Sequence, residues 1–411
     1  FIYNCIIIIT RFFLRVIALF NKKIKLFVDG RKNTFQKLEE NISKTDKTIW
    51  IHCASLGEFE QGRPIIEKIK AKYKSHKIVL TFFSPSGHEV QKDCKEVDVV
   101  CYLPLDTKSN ARKFIELVHP EMAIFVKYEF WPNVLSELKN KQISTILVSG
   151  IFRKSQSFFR PFGFWLRKSL QTFSHFFVQD KNSEKLLASI GIHNVTLSGD
   201  TRFDRVYEIT KQDNSLDFVE EFKQNELTFV AGSTWKEDEE LIVDYINNKA
   251  LPSEKFIIAP HNINAKGIAE LQNSINKKTI LFSNKENQDL KEAQVFIIDT
   301  IGILTKIYSY ADIAYVGGGF QTGLHNVLEP ATFGLPIIIG PKYDKFKEAV
   351  DLVNQGGCFV VYNKEEFNSQ LKELFTDTDD RKKKGKITKN FISQNIGATK
   401  IVLDYISSRI S

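Results

Sequence analysis

Two acidic residues follow apolar runs of the chain and could take part in proton transfer. Glu58 ends the segment SLGE, residues 55–58, shortly after an apolar run that stops at Cys53, and Glu129 begins the segment EFWPN, residues 129–133. A charged group beside a buried strand is costly unless it is paired or functional. We therefore interpret Glu58 as a candidate general base, which would accept a proton from a substrate hydroxyl, and Glu129 as a second candidate site residue.

A structural explanation is also open for both carboxylates. Ser55 and Glu58 have the spacing of a capping box, in which two residues satisfy each other's backbone N–H groups at the start of a helix. In the functional interpretation, Gly57 would let a substrate approach the turn. The structural alternative for Glu129 is a salt bridge with a nearby lysine or arginine. One sequence does not separate these alternatives.

A run of three glycines, Gly317–Gly319, follows another apolar run and precedes a helix predicted to begin near His325 and Asn326. The spacing matches neither the dinucleotide fingerprint nor a P-loop. Backbone N–H groups and a helix N-terminus nevertheless favour phosphate, and Glu329, one turn into the helix, could accept hydrogen bonds from ribose hydroxyls. This pattern favours a sugar nucleotide.

Two more turns from strand to helix could seat an anion in the same way. One carries Ser233 and Thr234, and the other spans Asp299–Leu304 with Gly302 near its first turn. Hydroxyl and carboxylate caps are common at ordinary helix starts, so the pattern of each turn, taken alone, favours a purely structural role.

Basic and aromatic residues alternate between Ser149 and Lys168. Five cations stand among six Phe or Trp residues there: Arg153, Lys154, Arg160, Arg167 and Lys168. Such a mixture suits a lipid headgroup with its acyl chains, and it also suits single-stranded nucleic acid. Because no recognisable nucleic-acid-binding pattern accompanies the segment, we expect no nucleic-acid partner.

The chain shows no metal-binding spacing. The histidines His52, His261 and His325 stand isolated in the sequence. The five cysteines are scattered, without a C-x-x-C pair, which favours neither a disulfide framework nor a zinc site. We expect no metal and no cofactor, so leaving-group charge would be handled by backbone dipoles and basic side chains.

The elements that must position these residues are short apolar runs alternating with helical patterns. The runs occupy residues 48–53, 77–83, 97–103, 122–128, 144–150, 175–180, 227–233, 255–261, 279–283, 295–299, 312–319, 335–340 and 358–362. Continuous apolar runs are typical of strands buried on both faces of a parallel sheet. We therefore predict an α/β protein with two Rossmann-like domains facing a cleft.

The predicted boundaries follow from the same pattern. We expect an N-terminal membrane-associated helix over residues 1–28, a first domain over 29–206, a polar linker over 207–226 and a second domain over 227–411. The charged run RKKKGK, residues 381–386, is predicted to be a solvated loop.

Composition and charge indicate an ordinary folded protein with an uneven surface. The chain has 411 residues, 43% of them hydrophobic and 26% charged, unlike disordered, collagenous or multi-span membrane proteins. The formal net charge is +8, with about +12 on residues 1–208 and about −4 on the remainder. The basic first half is expected to face an anionic partner.

The first 20 residues favour a lipid surface as that partner. They are apolar apart from a few polar residues, and Arg11, Arg15 and Lys22 project with Asn4 from one side of a helix. Such a helix is typical of a membrane interface, where the cations meet anionic headgroups. A signal peptide and a core helix are the alternatives.

Six short motifs, taken together in this order, resemble those of the 3-deoxy-D-manno-octulosonic acid (Kdo) transferases of lipopolysaccharide biosynthesis. They are SLGE (55–58), EFWPN (129–133), GDTRFD (199–204), AGST (231–234), DTIG (299–302) and HNVLEPA (325–331). The resemblance implies a GT-B glycosyltransferase at the cytoplasmic face of the inner membrane. It also implies metal-independent transfer of Kdo from CMP-Kdo to a lipid A precursor, with inversion at the anomeric carbon.

The same resemblance assigns roles to individual residues. Glu58 matches the general base, while Glu129 and Arg202 match positions that support the transition state. The segments expected to bind the CMP-sugar contribute Pro260, His261, Ile301, Gly302, Ile303, Asn326, Val327, Leu328 and Glu329. The acceptor side would include Ser55, Gly57 and Arg153.

Three positions depart from the family pattern. Arg202 stands where the family usually has lysine. Ala259–His261 reads APH rather than PRH, so an arginine expected near the CMP phosphate is missing, and Ile303 replaces a glutamate. Two other readings stay open: a GT-B transferase that uses a UDP-sugar on another membrane lipid, and a membrane-peripheral nucleotide-binding protein without activity.

Overall fold

The predicted apolar runs form parallel strands in two separate units. A computed structural model describes residues 2–321 and 323–410, apart from the side chains of Ile2, Phe162 and Trp165. The first unit comprises Phe1–Arg205 with Asn395–Ser411, and the second comprises Val206–Gln394. Phe162 and Trp165, two of the six aromatic residues in the predicted lipid-binding segment, therefore have side chains outside the described part.

Each unit contains one parallel sheet of seven strands within the described residues. The strands of the first are β1 (Lys47–Cys53), β2 (His76–Phe82), β3 (Val99–Tyr102), β4 (Met122–Val126), β5 (Ser144–Gly150), β6 (His175–Val178) and β7 (Val195–Leu197). Those of the second are β8 (Leu227–Thr234), β9 (Glu254–Pro260), β10 (Thr279–Leu281), β11 (Val295–Ile297), β12 (Ile313–Val316), β13 (Ile337–Ile339) and β14 (Cys358–Val360).

Helices connect these strands. Before the second sheet they are α1 (Ile2–Ile17), α2 (Lys22–Asp29), α3 (Thr34–Asn41), α4 (Leu56–Lys72), α5 (Pro85–Gln91), α6 (Lys108–Val118), α7 (Pro132–Asn140), α8 (Phe164–Leu170), α9 (Lys181–Ala188), α10 (Thr201–Ile209) and α11 (Asp217–Lys223). The rest are α12 (Lys236–Asn248), α13 (Ala265–Ser274), α14 (Leu304–Ile307), α15 (Leu328–Thr332), α16 (Lys347–Gln355), α17 (Lys364–Thr376), α18 (Thr378–Asn395) and α19 (Ala398–Ser407).

The strand order reverses once in each sheet. The first runs β3-β2-β1-β4-β5-β6-β7, and the second runs β10-β11-β9-β8-β12-β13-β14. The reversal lies between β1 and β4 in the first unit and between β8 and β12 in the second. In such sheets a crevice opens at the reversal, beyond the carboxyl ends of the strands, and ligands bind there.

Both faces of the first sheet are buried, as continuous apolar strands predict. Trp50 of β1 belongs to the same buried cluster as Leu135 of α7 on one face, while Ile51 of β1 belongs to the same buried cluster as Ile66 of α4 on the other. Side chains alternate between the two faces of a strand, so one strand contributes to both clusters. The helices that follow β1 and β4 thus cover opposite faces.

The last helix packs with the first unit, not with the second as the sequence predicted. Val402 and Ile406 of α19 share a buried cluster with Ile69 of α4. The Asp204 carboxylate accepts hydrogen bonds from the backbone N–H groups of Gly397 (2.6 Å) and Thr399 (2.7 Å), at the start of α19. The predicted second domain, residues 227–411, was therefore wrong at its C-terminal end. Although α19 follows the second sheet in the sequence, its apolar side chains and its first turn are bound by residues of the first unit.

The predicted linker, residues 207–226, is part of the second unit. Val219 and Phe222 of α11 are fully buried, and the Tyr310 hydroxyl accepts a hydrogen bond from the Leu216 backbone N–H at 2.6 Å. The segment is polar on average, so its sequence did not indicate that Val219 and Phe222 are buried.

The N-terminal segment forms two helices instead of the single helix predicted over residues 1–28. α1 ends at Ile17, and Asn21 caps α2 by accepting hydrogen bonds from the backbone N–H groups of Lys23 and Ile24. Large apolar side chains of α1, among them Phe12 and Phe13, are exposed. Within the described residues, every helix falls short of the length or apolar character that crossing a bilayer requires.

Two local predictions also differ. The sequence did not predict β7, which has three residues and lies at the edge of its sheet with its side chains partly exposed. Residues 381–386 belong to α18 rather than to a loop. Arg381 is buried there because its guanidinium donates to the carbonyl oxygens of Leu374 (2.7 Å) and Phe375 (3.2 Å) at the end of α17.

Removing the Asp204 cap should loosen α19. Asp204→Ala leaves two backbone donors at the helix start without their carboxylate, and a lost cap costs about 1–2 kcal/mol. We expect amide hydrogen exchange at Val402 and Ile406 to accelerate by about 5- to 30-fold. Asp93→Ala, at an exposed acidic residue of the same unit, is the control and should leave this exchange unchanged. Equal protection of α19 in both variants would contradict the assignment.

Candidate functional site

Glu58 lies in the first turn of α4, directly after β1. Ser55 occupies the N-cap position with extended backbone, and its hydroxyl donates to the Glu58 carboxylate instead of accepting from the helix backbone. The reciprocal capping box that the spacing allowed is therefore not formed. Glu58 is 8% exposed, and a Cβ added at Gly57 would meet only the Ser55 hydroxyl, at 3.9 Å, so the turn is open at Gly57.

Glu129 follows β4, which places it at the same strand reversal as Glu58. Burial raises the pKa of the Cys53 thiol at the end of β1, and the negative charges of Glu58 and Glu129 raise it further. Burial likewise raises the pKa of Tyr128, where Glu58 and Glu129 act in the same direction and the cation of Arg153 opposes them. The charges of two carboxylates and one arginine thus all affect the pKa of Tyr128.

A buried hydrogen-bonded network supports the Glu129 segment. The Trp131 indole donates to Nε2 of His52 (3.2 Å), and Nδ1 of His52 lies 2.8 Å from the Thr81 hydroxyl. An indole N–H can only donate, so Nε2 is the acceptor and Nδ1 carries the proton. The Glu129 carboxylate lies 3.7 Å from Nε2. This contact is not an ion pair, because the facing nitrogen is the unprotonated one.

Sequence reasoning missed His52, treating it as an isolated histidine. Trp50 and His52 are two residues apart in β1, so their side chains share one face of the sheet, and the Trp50 indole also donates to the Thr81 hydroxyl (2.8 Å). This alternation was the available signal. The partner Trp131, 79 positions away, could be found only in the fold.

A cavity of about 400 Å³ opens beside Glu129. It is lined by Tyr128, Glu129, Phe130, Trp131, Ser155, Gln156, Ser157, Phe158 and Leu166. Arg153 is exposed nearby, and its backbone N–H donates to the Gln156 side-chain oxygen at 3.0 Å. An aromatic pocket with a few polar groups and a cation close by suits a ligand that is partly apolar and partly anionic.

Arg202 is engaged by a neighbouring acid. Its guanidinium donates to the Asp200 carboxylate at 2.9 and 2.7 Å, and Asp200 is almost fully buried. The adjacent Thr201 hydroxyl donates to the backbone carbonyl of Gln61 at 2.5 Å, one turn after Glu58 in α4. Arg202 is therefore a held cation near the start of α4, next to the segment that carries Glu58.

In the second unit, an aromatic cluster marks the strand reversal between β8 and β12. The Trp235 ring stacks on His261 at 4.7 Å between centroids, and His261 lies 4.5 Å from His325. The Trp235 indole donates to Nε2 of His325 at 3.2 Å. Burial, and then the neighbouring His261, lower the pKa of His325 to about 4, so this imidazole is neutral near pH 7. Pro260, before His261, ends β9.

The two segments expected to bind CMP meet in this unit. Glu329 accepts hydrogen bonds from the Thr305 hydroxyl (2.8 Å) and from the Asn326 amide (3.1 Å). The turn before Thr305 is open: Ile301 is 83% exposed, and Gly302 has a φ of +94°. Ile303 is the N-cap residue of the short helix α14. Val327 and Leu328 have buried side chains, so they could reach a ligand only through their backbone.

The glycine run does not form the predicted phosphate cradle. The Gly318 N–H donates to the buried Asp238 carboxylate (2.9 Å), and the Gly317 N–H donates to the Gly232 carbonyl (3.0 Å). A Cβ at Gly317 would lie 2.3 Å from the Ser233 carbonyl oxygen. The N–H groups of Gly317 and Gly318 are therefore engaged within the protein, and Gly317 permits close backbone packing.

The predicted starts of the neighbouring helices also moved. The helix after β8 is capped by Trp235, not by Ser233 or Thr234, and the one after the glycine run begins at Leu328 rather than near His325. The first shift arises because β8 runs through Thr234, which leaves Trp235 as the N-cap residue. The second arises because the described residues between Val316 and Leu328 form neither helix nor strand.

A larger groove of about 700 Å³ lies between α12 and α13. Its lining includes four carboxylates and two lysines: Glu239, Glu240, Asp244, Glu270, Lys236 and Lys364. This excess of negative charge disfavours a nucleotide phosphate in the groove. Across residues 2–321 and 323–410, no group of three or more His, Cys, Asp or Glu side chains is arranged to hold a metal ion.

Comparison with known proteins relates this geometry to one enzyme family. Residues 29–205 match the family model of the 3-deoxy-D-manno-octulosonic-acid transferase (kdotransferase). The chain is 30% identical over 345 residues to the 3-deoxy-D-manno-octulosonic acid transferase of Aquifex aeolicus, covering 82% of this chain and 89% of that protein. It is 27% identical over 377 residues to the transferase of the same name from Haemophilus influenzae, covering 87% and 86%.

A longer relative shares the same region. A bifunctional glycosyltransferase/methyltransferase of Fusobacterium nucleatum is 26% identical over 374 residues, which make up 86% of this chain but only 56% of that protein.

Solved structures with low sequence identity share the fold. UDP-GlcNAc 2-epimerase from Neisseria meningitidis superposes with a TM-score of 0.62 at 15% identity, covering 88% of this chain and all of that one. MurG from Acinetobacter baumannii superposes with a TM-score of 0.55 at 9% identity, covering 88% and 99%. These likenesses establish a GT-B-like architecture of two parallel α/β units. The 30% sequence identity to the Aquifex enzyme over most of both proteins leads to one conclusion: the chain belongs to the 3-deoxy-D-manno-octulosonic acid transferases, a family of glycosyltransferases.

Proposed function

We propose that this Kdo transferase takes Kdo from CMP-Kdo and transfers it, with inversion, to a hydroxyl of a lipid A precursor. The observation that carries the proposal is the placement of Glu58 and Glu129 after β1 and β4, on the two sides of one strand reversal, where the negative charge of each raises the pKa of Tyr128 and of Cys53. Residues at this edge are well placed for chemistry because the sheet holds them while their functional groups stay beyond its carboxyl end.

In this proposal Glu58 is the general base. The acceptor hydroxyl oxygen forms a bond to the anomeric carbon of Kdo, the bond from that carbon to the CMP phosphate breaks, and the hydroxyl proton passes to the Glu58 carboxylate. A single displacement of this kind inverts the anomeric centre. The Ser55 hydroxyl holds the carboxylate in place, while Glu129 and Arg202 are assigned to support of the transition state.

Acceptor and donor contacts are assigned to different units. The cavity of aromatic side chains beside Glu129, with Arg153 close by, suits an acylated and phosphorylated sugar. In the second unit, Asn326 and Glu329 would contact the nucleotide, and the exposed turn at Ile301–Ile303 offers backbone groups. The neutral His325 and His261, which is stacked on Trp235, provide aromatic rings next to Asn326 in this unit.

We further propose that the protein works at the cytoplasmic face of the inner membrane, held there by α1. The exposed apolar side chains of this helix include Ile8, Ile9, Phe12 and Phe13, and Arg11 and Arg15 are exposed among them. An apolar face inserts at the interface while neighbouring cations attract anionic headgroups. A membrane-bound acceptor would then be delivered to the unit that carries Glu58.

Replacing the proposed base should stop turnover. With Glu58→Gln we expect kcat to fall at least about 100-fold, because the amide cannot accept the proton, while binding of CMP-Kdo is retained. The assay measures Kdo transfer from CMP-Kdo to a lipid A precursor, with UDP-GlcNAc as the alternative donor. Glu60→Gln, at a half-buried acid of the same helix, is the matched control and should keep kcat within about threefold.

Two results would overturn this assignment. If Glu58→Gln lost donor binding alone, Glu58 would not be the base. If the unaltered protein used UDP-GlcNAc but not CMP-Kdo, the proposed donor would be wrong.

Placing charges on α1 should weaken membrane binding. The double variant Phe12→Asp/Phe13→Asp removes two exposed rings, each contributing about 1.5–3 kcal/mol when buried, so partition into vesicles should fall more than about 10-fold. The vesicles contain phosphatidylethanolamine and phosphatidylglycerol, and binding is measured by co-flotation. Leu251→Glu, at an exposed leucine of the second unit, is the control. Unchanged flotation of the double variant would exclude α1 as the membrane contact.

A further inference from the structure

Two polar residues at the start of α1 contact the segment that carries Glu129. The Tyr3 hydroxyl donates to the Asp106 carboxylate at 2.7 Å, and the Asn133 amide donates to the Asn4 side-chain oxygen at 2.8 Å. These contacts join positions more than 100 residues apart. They fasten the proposed membrane helix to the first turn of α7.

Asp106 is the centre of this contact. It is 1% exposed, and its two carboxylate oxygens accept the backbone N–H groups of Asn133 (3.0 Å) and Val134 (2.9 Å). Its own backbone carbonyl accepts the Asn133 amide at 2.5 Å. A carboxylate in this place satisfies orphan donors at a helix start. Asp106 thus caps α7 from a distant loop, and Tyr3 holds the capping carboxylate.

The start of α7 is continuous with the candidate site. Trp131 precedes Pro132, the first residue of α7, and its indole donates to His52 at 3.2 Å. Glu129 is two residues earlier, with its carboxylate 3.7 Å from the same imidazole. Any shift of the first turn of α7 therefore moves the backbone that carries both Trp131 and Glu129.

We propose that Tyr3 and Asn4 are positioning residues for the Glu129 segment, so that α1 is a part of the active-site framework as well as a membrane contact. The inference rests on the proposed function for its catalytic consequence. Tyr3 and Asn4 do not touch the reacting groups; they act through Asp106 and Asn133. The exposed apolar residues of α1 are those proposed to contact the membrane. Tyr3 and Asn4 are separate from them, because their side chains bind Asp106 and Asn133.

The test separates positioning from folding and from membrane binding. Tyr3→Phe removes one hydroxyl and keeps the ring, and Asn4→Ala removes the acceptor of the Asn133 amide. For each variant we expect kcat for Kdo transfer to fall about fivefold or more, since small displacements of reacting groups are costly, with KM for CMP-Kdo and vesicle flotation unchanged. Thr10→Ala, at an exposed residue of the same helix, should retain the kcat of the unaltered protein.

A second measurement does not depend on activity. Amide hydrogen exchange at Asn133 and Val134 should be faster in Tyr3→Phe and Asn4→Ala than in Thr10→Ala. Unchanged exchange, or unchanged kcat, would overturn the inference. If the unaltered protein showed no Kdo transfer, the proposed function would fail on its own, and the exchange comparison would still decide whether α1 holds α7 in place.

Discussion

The reversal of strand order between β1 and β4 is the constraint on which the candidate site depends. Because the chain leaves these neighbouring parallel strands toward opposite faces of the sheet, α4 and α7 separate and a crevice opens between their starts. Glu58 follows one strand and Glu129 follows the other, which is why two residues far apart in sequence act on the same tyrosine. The reversal between β8 and β12 brings Trp235 and His325 together in the same way.

The histidines His52 and His325 at these edges have hydrogen-bond partners. His52 forms hydrogen bonds with Thr81 and Trp131, and His325 forms one with Trp235. In both histidines an indole N–H donates to Nε2, so the hydrogen-bond partner determines which ring nitrogen is unprotonated. An unpaired polar group at such depth would cost more than its hydrogen bond contributes. Pairing therefore makes these side chains rigid, and rigidity keeps the neighbouring Glu129 in a defined place.

Several motif residues that identify the family have structural roles. Asp204 caps α19, the Thr201 hydroxyl donates to the Gln61 carbonyl, and Asp200 holds the guanidinium of Arg202. The motif at residues 199–204 thus contains several side chains that are engaged within the protein. The order of the motifs along the chain identifies the family, while the contacts of each residue show which purpose it serves.

The sequence by itself determined the two parallel-sheet units and nearly all their strands, because strands buried on both faces must be continuously apolar. It also determined that residues near the N-terminus form an amphipathic helix, and that carboxylates follow β1 and β4. Only the tertiary structure decided that α19 joins the first unit, that residues 381–386 are helical, and that Tyr3, Asp106 and Asn133 form one contact. Local sequence patterns reflect burial and periodicity. These three features instead depend on contacts between residues that are distant in the chain, and such contacts stabilise the protein only after folding has brought those residues together.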